Sequence, residues 1–396
     1  MQITDVRIYI LPGEPKQRSV DHRGGIDKVP QGRSNMFTHA SGFGPSSELP
    51  DGWLEACQDP TEYPTFEATL RLETDGHLDA YASFSTGFHK EHLVHKAQEF
   101  KIHLGSLLMG VDAFDREFVW QRLWFAQRFY YTGRVFLDMV DRMLWDLASR
   151  HAAQPIYRLL GACREKVPAY KNHGGTTIDD MIAAALKVKE DGYVGTKDHS
   201  YRGVKGNTDL ARELRAAVGD DFLLMHDPVW SYTYDEAVKI GRVLEKYNYR
   251  WIEEPLQDYD MWGMKKLCDT LDLPVLGLEW IGAIGGQPYQ TSAFLAMQAV
   301  DIARQRGIGI TGQVKQAQLG EAFGVDVHGG DPHVILAVPN DPIYETVGIG
   351  PRPSPDEINC RGIPFYENGY MSIAWNDRVP EEPDWDEMER NSVAVV

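Results

Sequence analysis

The chain has 396 residues, 43% of them apolar and 25% charged, which is the composition of a globular protein. At roughly 150 residues per domain, this length predicts two or three domains. The net charge of −18 excludes the basic surface that nucleic-acid binding requires. Four single cysteines without a CxxC pair exclude a disulfide framework or a zinc ribbon, so we expect a reducing compartment.

The first residues, MQITDVRIYIL, alternate apolar and polar side chains as a strand does. They lack the basic start and the continuous apolar run of a signal peptide. No run of about 18 apolar residues occurs in the sequence, so we expect no membrane span and a cytoplasmic protein.

Residues 1–128 are predicted to form an N-terminal α+β domain. Two strands, Ile3–Leu11 and Thr65–Glu73, flank an irregular polar stretch from Val20 to Asp59. A loop of that length within a domain is usually functional or disordered. Helical patterns follow at His92–Leu107, Asp115–Trp124 and Thr132–Ala153.

From Val167 onward, short strands alternate with helices at an even pitch. The predicted strands are Val167–Lys171, Val194–Lys197, Phe222–Asp227, Trp251–Glu254, Val275–Glu279, Ala299–Ile302 and Val325–His328. The helices between them include Ile178–Asp191, Thr208–Val218, Thr233–Tyr247 and Met261–Leu271. Seven βα repeats favour a closed parallel barrel over residues 129–363. A last strand is predicted at Tyr370–Trp375, within a C-terminal segment of residues 364–396.

Three acidic residues end three consecutive barrel strands. Asp227, Glu253 and Glu279 follow one another at intervals of 26 residues. One βα unit per acid places them side by side at the C-terminal rim of the barrel, where they would repel unless a cation held them. Oxygen ligands of this kind suit Mg²⁺. Taken alone, Asp227 also fits a helix N-cap, and either Glu253 or Glu254 faces inward.

Further polar residues are predicted at the same rim. Asp301 and His328 belong to the sixth and seventh strands, and a carboxylate beside an imidazole suits a general acid/base. Lys197 and His199 lie two residues apart at the end of the second strand and so share a face. They would bind a carboxylate and supply a second base, although exposed surface charges would show the same spacing.

These residues resemble the mandelate racemase subgroup of the enolase superfamily. The resemblance rests on WIEEP at 251–255, on the spacing of the acids and on the segment from Leu137 to Tyr170. It implies a modified TIM barrel, (β/α)7β, with the N-terminal α+β region as a capping domain and a C-terminal segment that returns to it. It also implies a homo-oligomer, from a dimer to an octamer.

Carried over by position, the resemblance assigns Asp227, Glu253 and Glu279 as Mg²⁺ ligands. Asp301 and His328 would be an acid/base dyad, and Lys197 and His199 would match a Lys-x-Lys pair. Glu345 would help to bind the substrate carboxylate, although a surface acid fits this position equally.

The sequence departs from that pattern in three places. His199 replaces a lysine, Val229 lies where asparagine is common, and Arg304 follows Asp301 near the dyad. These departures lead away from simple racemisation.

The expected reaction is removal of the proton α to a carboxylate, followed by loss of water from a sugar acid. The product would be a 2-keto-3-deoxy acid, which makes the protein a lyase acting on a small-molecule carboxylate. The polar N-terminal stretch offers His22, Arg23 and Arg33 as substrate-binding residues. A racemase or epimerase, a cycloisomerase, a metal-binding scaffold without catalysis and a metal-dependent hydrolase are the alternatives. No nucleic acid or membrane is expected as a partner.

Overall fold

The structure is a computed structural model that describes residues 1–17, 62–87, 89–130, 134–279, 281 and 287–396. Within these ranges no helix is both long enough and apolar enough to cross a membrane.

The N-terminal part is built on a four-stranded antiparallel sheet. Strands β1 (Ile3–Gln17), β2 (Glu62–Thr74) and β3 (Ala80–Gly87) pair as neighbours in the chain. The short C-terminal strand β14 (Ala394–Val395) adds to the free edge of β1. Alternate apolar side chains of the sheet are buried against the helices of the same region.

The rest of the chain forms a barrel of parallel strands. These are β4 (Lys166–His173), β5 (Gly195–Asp198), β6 (Leu223–His226), β7 (Ile252–Glu253), β8 (Val275–Gly277), β9 (Ile302–Arg304), β10 (Asp326–His328) and β11 (Tyr344–Glu345). Strands β4 to β10 follow one another in sequence order, and β11 pairs with β4. Strand β10 is joined to the segment that precedes β11, because Val327 N donates a hydrogen bond to Asn340 O at 2.8 Å. The antiparallel hairpin β12 (Ile363–Glu367) and β13 (Tyr370–Ala374) extends the sheet beyond β4. The predicted (β/α)7β fold is confirmed.

Helices cover the outside of the barrel and one face of the N-terminal sheet. They are α1 (Lys90–Phe100, continued by a π-helical turn at Lys101–Gly105 and a short turn at Ser106–Leu108), α2 (Arg116–Tyr130), α3 (Arg134–Ala152), α4 (Ile156–Leu159), α5 (Ile178–Glu190), α6 (Gly203–Val218), α7 (Tyr234–Lys246), α8 (Met261–Thr270), α9 (Thr291–Met297), α10 (Gly309–Phe323), α11 (Pro332–Ile335) and α12 (Trp385–Asn391). Capping boxes begin α5 at Thr177 and α7 at Thr233, where each threonine accepts a hydrogen bond from the third helical residue. The largest apolar core lies between these helices and the barrel strands. The polar residues at the ends of the strands lie outside this core and can therefore form a site.

Candidate functional site at the barrel rim

Four carboxylates from four barrel strands form one group, which we call the acidic rim: Asp227, Glu253, Glu279 and Glu345. Asp227 follows β6, Glu253 ends β7, Glu279 lies just beyond β8 and Glu345 ends β11. The ammonium of Lys197 in β5 lies 2.8 Å from Glu253, 3.1 Å from Glu345 and 3.2 Å from Asp227. The strand ends therefore bring together the three predicted ligands, the predicted lysine and the predicted eighth-strand acid.

A second cation, Arg304, lies within the acidic rim. It is the last residue of β9, and its Nε is 3.1 Å from Glu279 and 3.5 Å from Glu253. Its Nη2 donates to Glu345 at 2.7 Å. Arg306 is about half exposed and pairs with the other Glu279 oxygen from outside. Arg304 thus occupies the space between acids that the sequence assigns to a metal.

The two buried cations control the charge of the acids nearest to them. Burial alone would raise the pKa of Glu345, but Arg304 and Lys197 outweigh it and hold that pKa well below its ordinary value. The pKa of Glu253 is lowered in the same way, since Lys197 and Arg304 outweigh its burial. Burial raises the pKa of Asp227, and the neighbouring Glu253 charge adds to this rise. The rim therefore carries more negative charge than its two buried cations neutralise.

Glu254 resolves the question of which acid of the WIEEP sequence faces the barrel centre. Glu253 does so, while Glu254 is turned away in a left-handed conformation with φ of 44°. Its side chain accepts a hydrogen bond from the Glu279 backbone N–H at 3.0 Å. Burial, reinforced by the acidic neighbours Asp258 and Asp227, raises the pKa of Glu254 well above its ordinary value. Glu254 therefore connects two strand ends.

His328, at the end of β10, is buried beside the acidic rim. Its Nε2 lies 2.8 Å from the hydroxyl of Tyr170 in β4, and its Nδ1 is 3.7 Å from Asp341. Asp341 is completely buried and also accepts hydrogen bonds from Gln305 and from Gly330 N. The imidazole is thus hydrogen-bonded to the phenol on one side, and the Asp341 carboxylate lies near its other nitrogen beyond hydrogen-bond distance.

The predicted pair of Asp301 and His328 is wrong. Strand β9 begins only at Ile302, so Asp301 precedes it, and the Asp301 carboxylate accepts a hydrogen bond from Val275 N at the start of β8. His328 is level with Arg304 in the sheet, which places it three residues, or about 10 Å, further along the strands. The cause is a three-residue error in the predicted start of the sixth strand. The acid nearest to His328 is Asp341.

The remaining predicted residues fall into two groups. His199 lies at the opening of the site, where its Nε2 is 3.2 Å from Asp227 and its side chain is 51% exposed. His22, Arg23 and Arg33 lie outside the described residues.

Sequence reasoning missed Tyr170, Asn172 and Asp341 and did not include Arg304 among the site residues. Asn172 donates to Glu345 at 2.9 Å and shares a face of β4 with Tyr170. Because alternate residues of a strand point to the same face, assigning the two faces of β4 would have identified both residues.

A cavity of about 240 Å³ opens beside the rim. Arg304, Arg306, Gly329, Tyr344 and Glu345 are among the residues that line it. The Arg304 Nη1 atom is buried and has no hydrogen-bond partner among the described residues. The wall of this cavity thus includes two arginines and one carboxylate of the acidic rim.

The acids fit a hard divalent cation in their chemistry, but Arg304 lies among them. Within the described ranges, no group of three or more His, Cys, Asp or Glu side chains is arranged to hold a metal ion. Yet the rim has excess negative charge, and the buried Glu253 Oε1 has no hydrogen-bond partner among the described residues. Carboxylate oxygens are the ligands that Mg²⁺ prefers.

Comparison with known proteins identifies the barrel. Residues 180–383, just over half of the chain, match the family described as enolase C-terminal domain-like. An L-talarate/galactarate dehydratase of Salmonella typhimurium is 31% identical over 42% of this chain, and the match covers only 44% of that enzyme. A 3,6-anhydro-alpha-L-galactonate cycloisomerase of Streptomyces coelicolor is 28% identical over 62% of this chain and 71% of its own length.

A solved structure agrees over the whole chain. The D-glucarate dehydratase of Agrobacterium tumefaciens, crystallised with magnesium, superposes with a TM-score of 0.72 and 26% identity, covering 100% of both chains. Its structure shares the barrel and the N-terminal capping domain predicted from the sequence. The chain therefore belongs to the enolase superfamily, in the group that contains the acid-sugar dehydratases and racemases related to mandelate racemase.

Proposed function

We propose that the protein is a Mg²⁺-dependent acid-sugar dehydratase. It would remove the proton α to the carboxylate of a sugar acid and expel the β-hydroxyl as water, giving a 2-keto-3-deoxy acid. The observation that carries this proposal is the acidic rim, in which Asp227 and Glu253 lie beside the buried ammonium of Lys197 and Glu279 is joined to Glu253 through Arg304. Dehydratases are also found among the relatives and solved structures that the chain resembles.

Asp227, Glu253 and Glu279 would hold the Mg²⁺ ion. When bound, the ion supplies positive charge that stabilises a substrate carboxylate as negative charge develops on it. All other steps belong to side chains of the protein.

Lys197 would act as a fixed positive charge. Burial would lower the pKa of its ammonium, but Glu253, Tyr170 and the other rim groups outweigh burial and raise that pKa well above its ordinary value. A lysine held protonated in this way cannot accept the α-proton. It can bind the substrate carboxylate and stabilise the enediolate.

His199 is the better candidate for the base on that side. It lies within reach of Asp227 and is half exposed at the opening of the site, so a substrate can approach its ring.

His328 would supply the acid on the other side. Its Nε2 lies at hydrogen-bond distance, 2.8 Å, from the Tyr170 hydroxyl, and Asp341 lies on its Nδ1 side. Burial raises the pKa of Tyr170 well above its ordinary value, so the phenol stays neutral and can pass a proton from the imidazole to the departing hydroxyl. The base thus follows β5, the strand that carries Lys197, and the acid ends a different strand, β10.

A cycloisomerase is the second candidate, because one relative is named as such, and in this proposal it would use the same proton abstraction as its first step. The product mass separates the two, since dehydration removes one water and cycloisomerisation does not change the mass.

The test is to incubate the purified protein with Mg²⁺ and a library of aldonic and aldaric acids, and to detect 2-keto acids with semicarbazide. Replacing His328 with asparagine is expected to abolish product formation, while His95→Asn in the exposed part of α1 serves as a matched control. Undiminished dehydration by the His328→Asn variant would contradict the proposed role of His328. If no acid reacts, incubation in D₂O tests for α-proton exchange, and the lack of exchange with every acid would contradict the proposed function.

A further inference from the structure

Arg304 lies where a divalent cation would bind. Its guanidinium contacts Glu253 and Glu279, two of the three proposed ligands, and also Glu345. Its side chain is only 8% exposed. A metal ion that used both Glu253 and Glu279 would need the same carboxylate oxygens, because Nε of Arg304 faces Oε1 of one and Oε2 of the other.

Only part of the Arg304 guanidinium is held. Nε and Nη2 face carboxylates, whereas Nη1 has no hydrogen-bond partner among the described residues. Arg304 also lines the cavity of about 240 Å³, which gives the guanidinium room to turn away from the acids. On the cavity side it packs on Gly329, where an added Cβ would lie 2.8 Å from Nη1.

We propose that Arg304 is a built-in counter-ion that competes with the divalent cation for the acidic rim. Without metal, the guanidinium neutralises Glu253, Glu279 and Glu345. Metal binding replaces it at Glu253 and Glu279 and releases it toward the cavity. This inference rests on the proposed metal requirement and adds to it that Arg304 lowers the affinity for metal.

The experiment is calorimetric titration of metal-free wild-type protein, Arg304→Gln and Arg306→Gln with Mg²⁺, and with Mn²⁺ as a second probe. Arg306→Gln is the matched control because it removes one positive charge that pairs with Glu279 from outside the rim. We expect Arg304→Gln to bind the metal at least about tenfold more tightly than wild type, a difference of about 1.4 kcal/mol. Arg306→Gln should change the affinity much less.

Melting temperature provides a second measurement. Metal-free Arg304→Gln should melt below wild type, because three acids lose a counter-ion, and added metal should raise its melting temperature by more than it raises that of wild type. Arg304→Lys keeps the charge but loses the separate Nε and Nη2 donors that face different carboxylates, so it should fall between wild type and Arg304→Gln. It also preserves the test if the glutamine variant fails to fold.

Each outcome has a distinct meaning. Equal affinities in wild type, Arg304→Gln and Arg304→Lys would overturn the competition and leave the metal-dependent function intact. Equal gains in Arg304→Gln and Arg306→Gln would also overturn it, because the effect would then be one of net charge. Metal binding by Arg304→Gln alone would support the competition and contradict a metal requirement in the wild type. No binding by any of the proteins would overturn both proposals.

Discussion

Replacing Lys197 with methionine removes the charge at the centre of the acidic rim and keeps most of the side-chain volume. Lys197 is 1% exposed, and its ammonium lies 2.8 to 3.2 Å from three carboxylates. At an effective dielectric constant of about 20, Coulomb's law gives roughly 5 kcal/mol for one pair of unit charges at about 3 Å. Desolvation offsets much of that attraction, and removing one partner of a buried ion pair costs about 3–5 kcal/mol. We therefore expect Lys197→Met to lower the free energy of unfolding by about 3–5 kcal/mol.

The assay is urea unfolding in the presence of a chelator, so that no metal replaces the missing charge. Lys187→Met is the control, because Lys187 is an exposed lysine with two carboxylate neighbours on the surface of α5, and its loss should leave stability unchanged within error. The double variant Lys197→Met/Glu345→Gln should recover part of the loss, since it removes one uncompensated negative charge. Added Mg²⁺ should also stabilise Lys197→Met more than wild type.

A Lys197→Met variant within about 1 kcal/mol of wild type would refute the reasoning. That result would mean that Arg304 and proton uptake by the acids already balance the rim. Failure of Glu345→Gln to recover any stability would show that Lys197 acts through packing and not through charge.

Three further predictions follow from the described contacts. Tyr170→Phe removes the hydroxyl that contacts Nε2 of His328 and should lower turnover about 10²–10⁴-fold with little change in KM, as measured by steady-state kinetics. An unchanged turnover would show that Tyr170 takes no part in proton transfer. Gly309→Ala should lower the free energy of unfolding by about 2–4 kcal/mol in urea, because φ is +68° and the new Cβ would lie within 2.7 Å of Asp141 side-chain atoms. Gly348→Ala is the matched control, since Gly348 also has positive φ but has nothing within 4 Å, and it should lose much less stability. Burial raises the pKa of Asp141 from 3.8 to about 7, so the folded state binds this proton more tightly than the unfolded state does. The stability that results is fully present below pH 3.8 and is lost as the pH rises through 7. Between pH 4 and 8 the unfolding free energy of wild type should fall relative to Asp141→Asn by roughly 4 kcal/mol, and parallel pH profiles would contradict this.

The sequence predicted the acids of the site more reliably than their partners. Asp227, Glu253 and Glu279 each lie at or just after the end of a strand in a regular βα unit. Their constant spacing is unaffected by errors of a residue or two in the strand bounds. A (β/α)7β barrel then necessarily brings them to the same rim.

The partner of His328 could not be found in that way. The apolar run around Ala299–Ile302 predicts a strand that carries Asp301 toward His328, whereas the strand is Ile302–Arg304. Strand bounds are the least certain part of any such prediction, and one wrong bound moves a side chain to the other end of the barrel. Asp341 reaches His328 from the segment before β11, a contact that exists only once the barrel has closed.

The acid side of the site is held in place by its backbone. Val229, Glu254 and Leu278 all have positive φ, between 44° and 85°, and each lies within two residues of one of the three proposed ligands. Such conformations cost about 1–2 kcal/mol for a residue other than glycine and persist only where other contacts enforce them. Those contacts are hydrogen bonds between the strand ends: Trp230 N donates to Glu254 O at 2.7 Å, and Glu254 N donates to Leu276 O at 2.8 Å.

The backbone arrangement has a consequence for how the site can change. Because hydrogen bonds between β6, β7 and β8 fix the three acids, a cation entering the rim meets carboxylates that cannot easily move apart. Arg304 is attached to the next strand, β9, by a long side chain that has an adjacent cavity and one nitrogen without a hydrogen bond among the described residues. Any rearrangement that admits a metal ion is therefore expected to move Arg304 and leave the acids in place, so the affinity of the site should depend on the residue at position 304 more than on any neighbour of the three ligands.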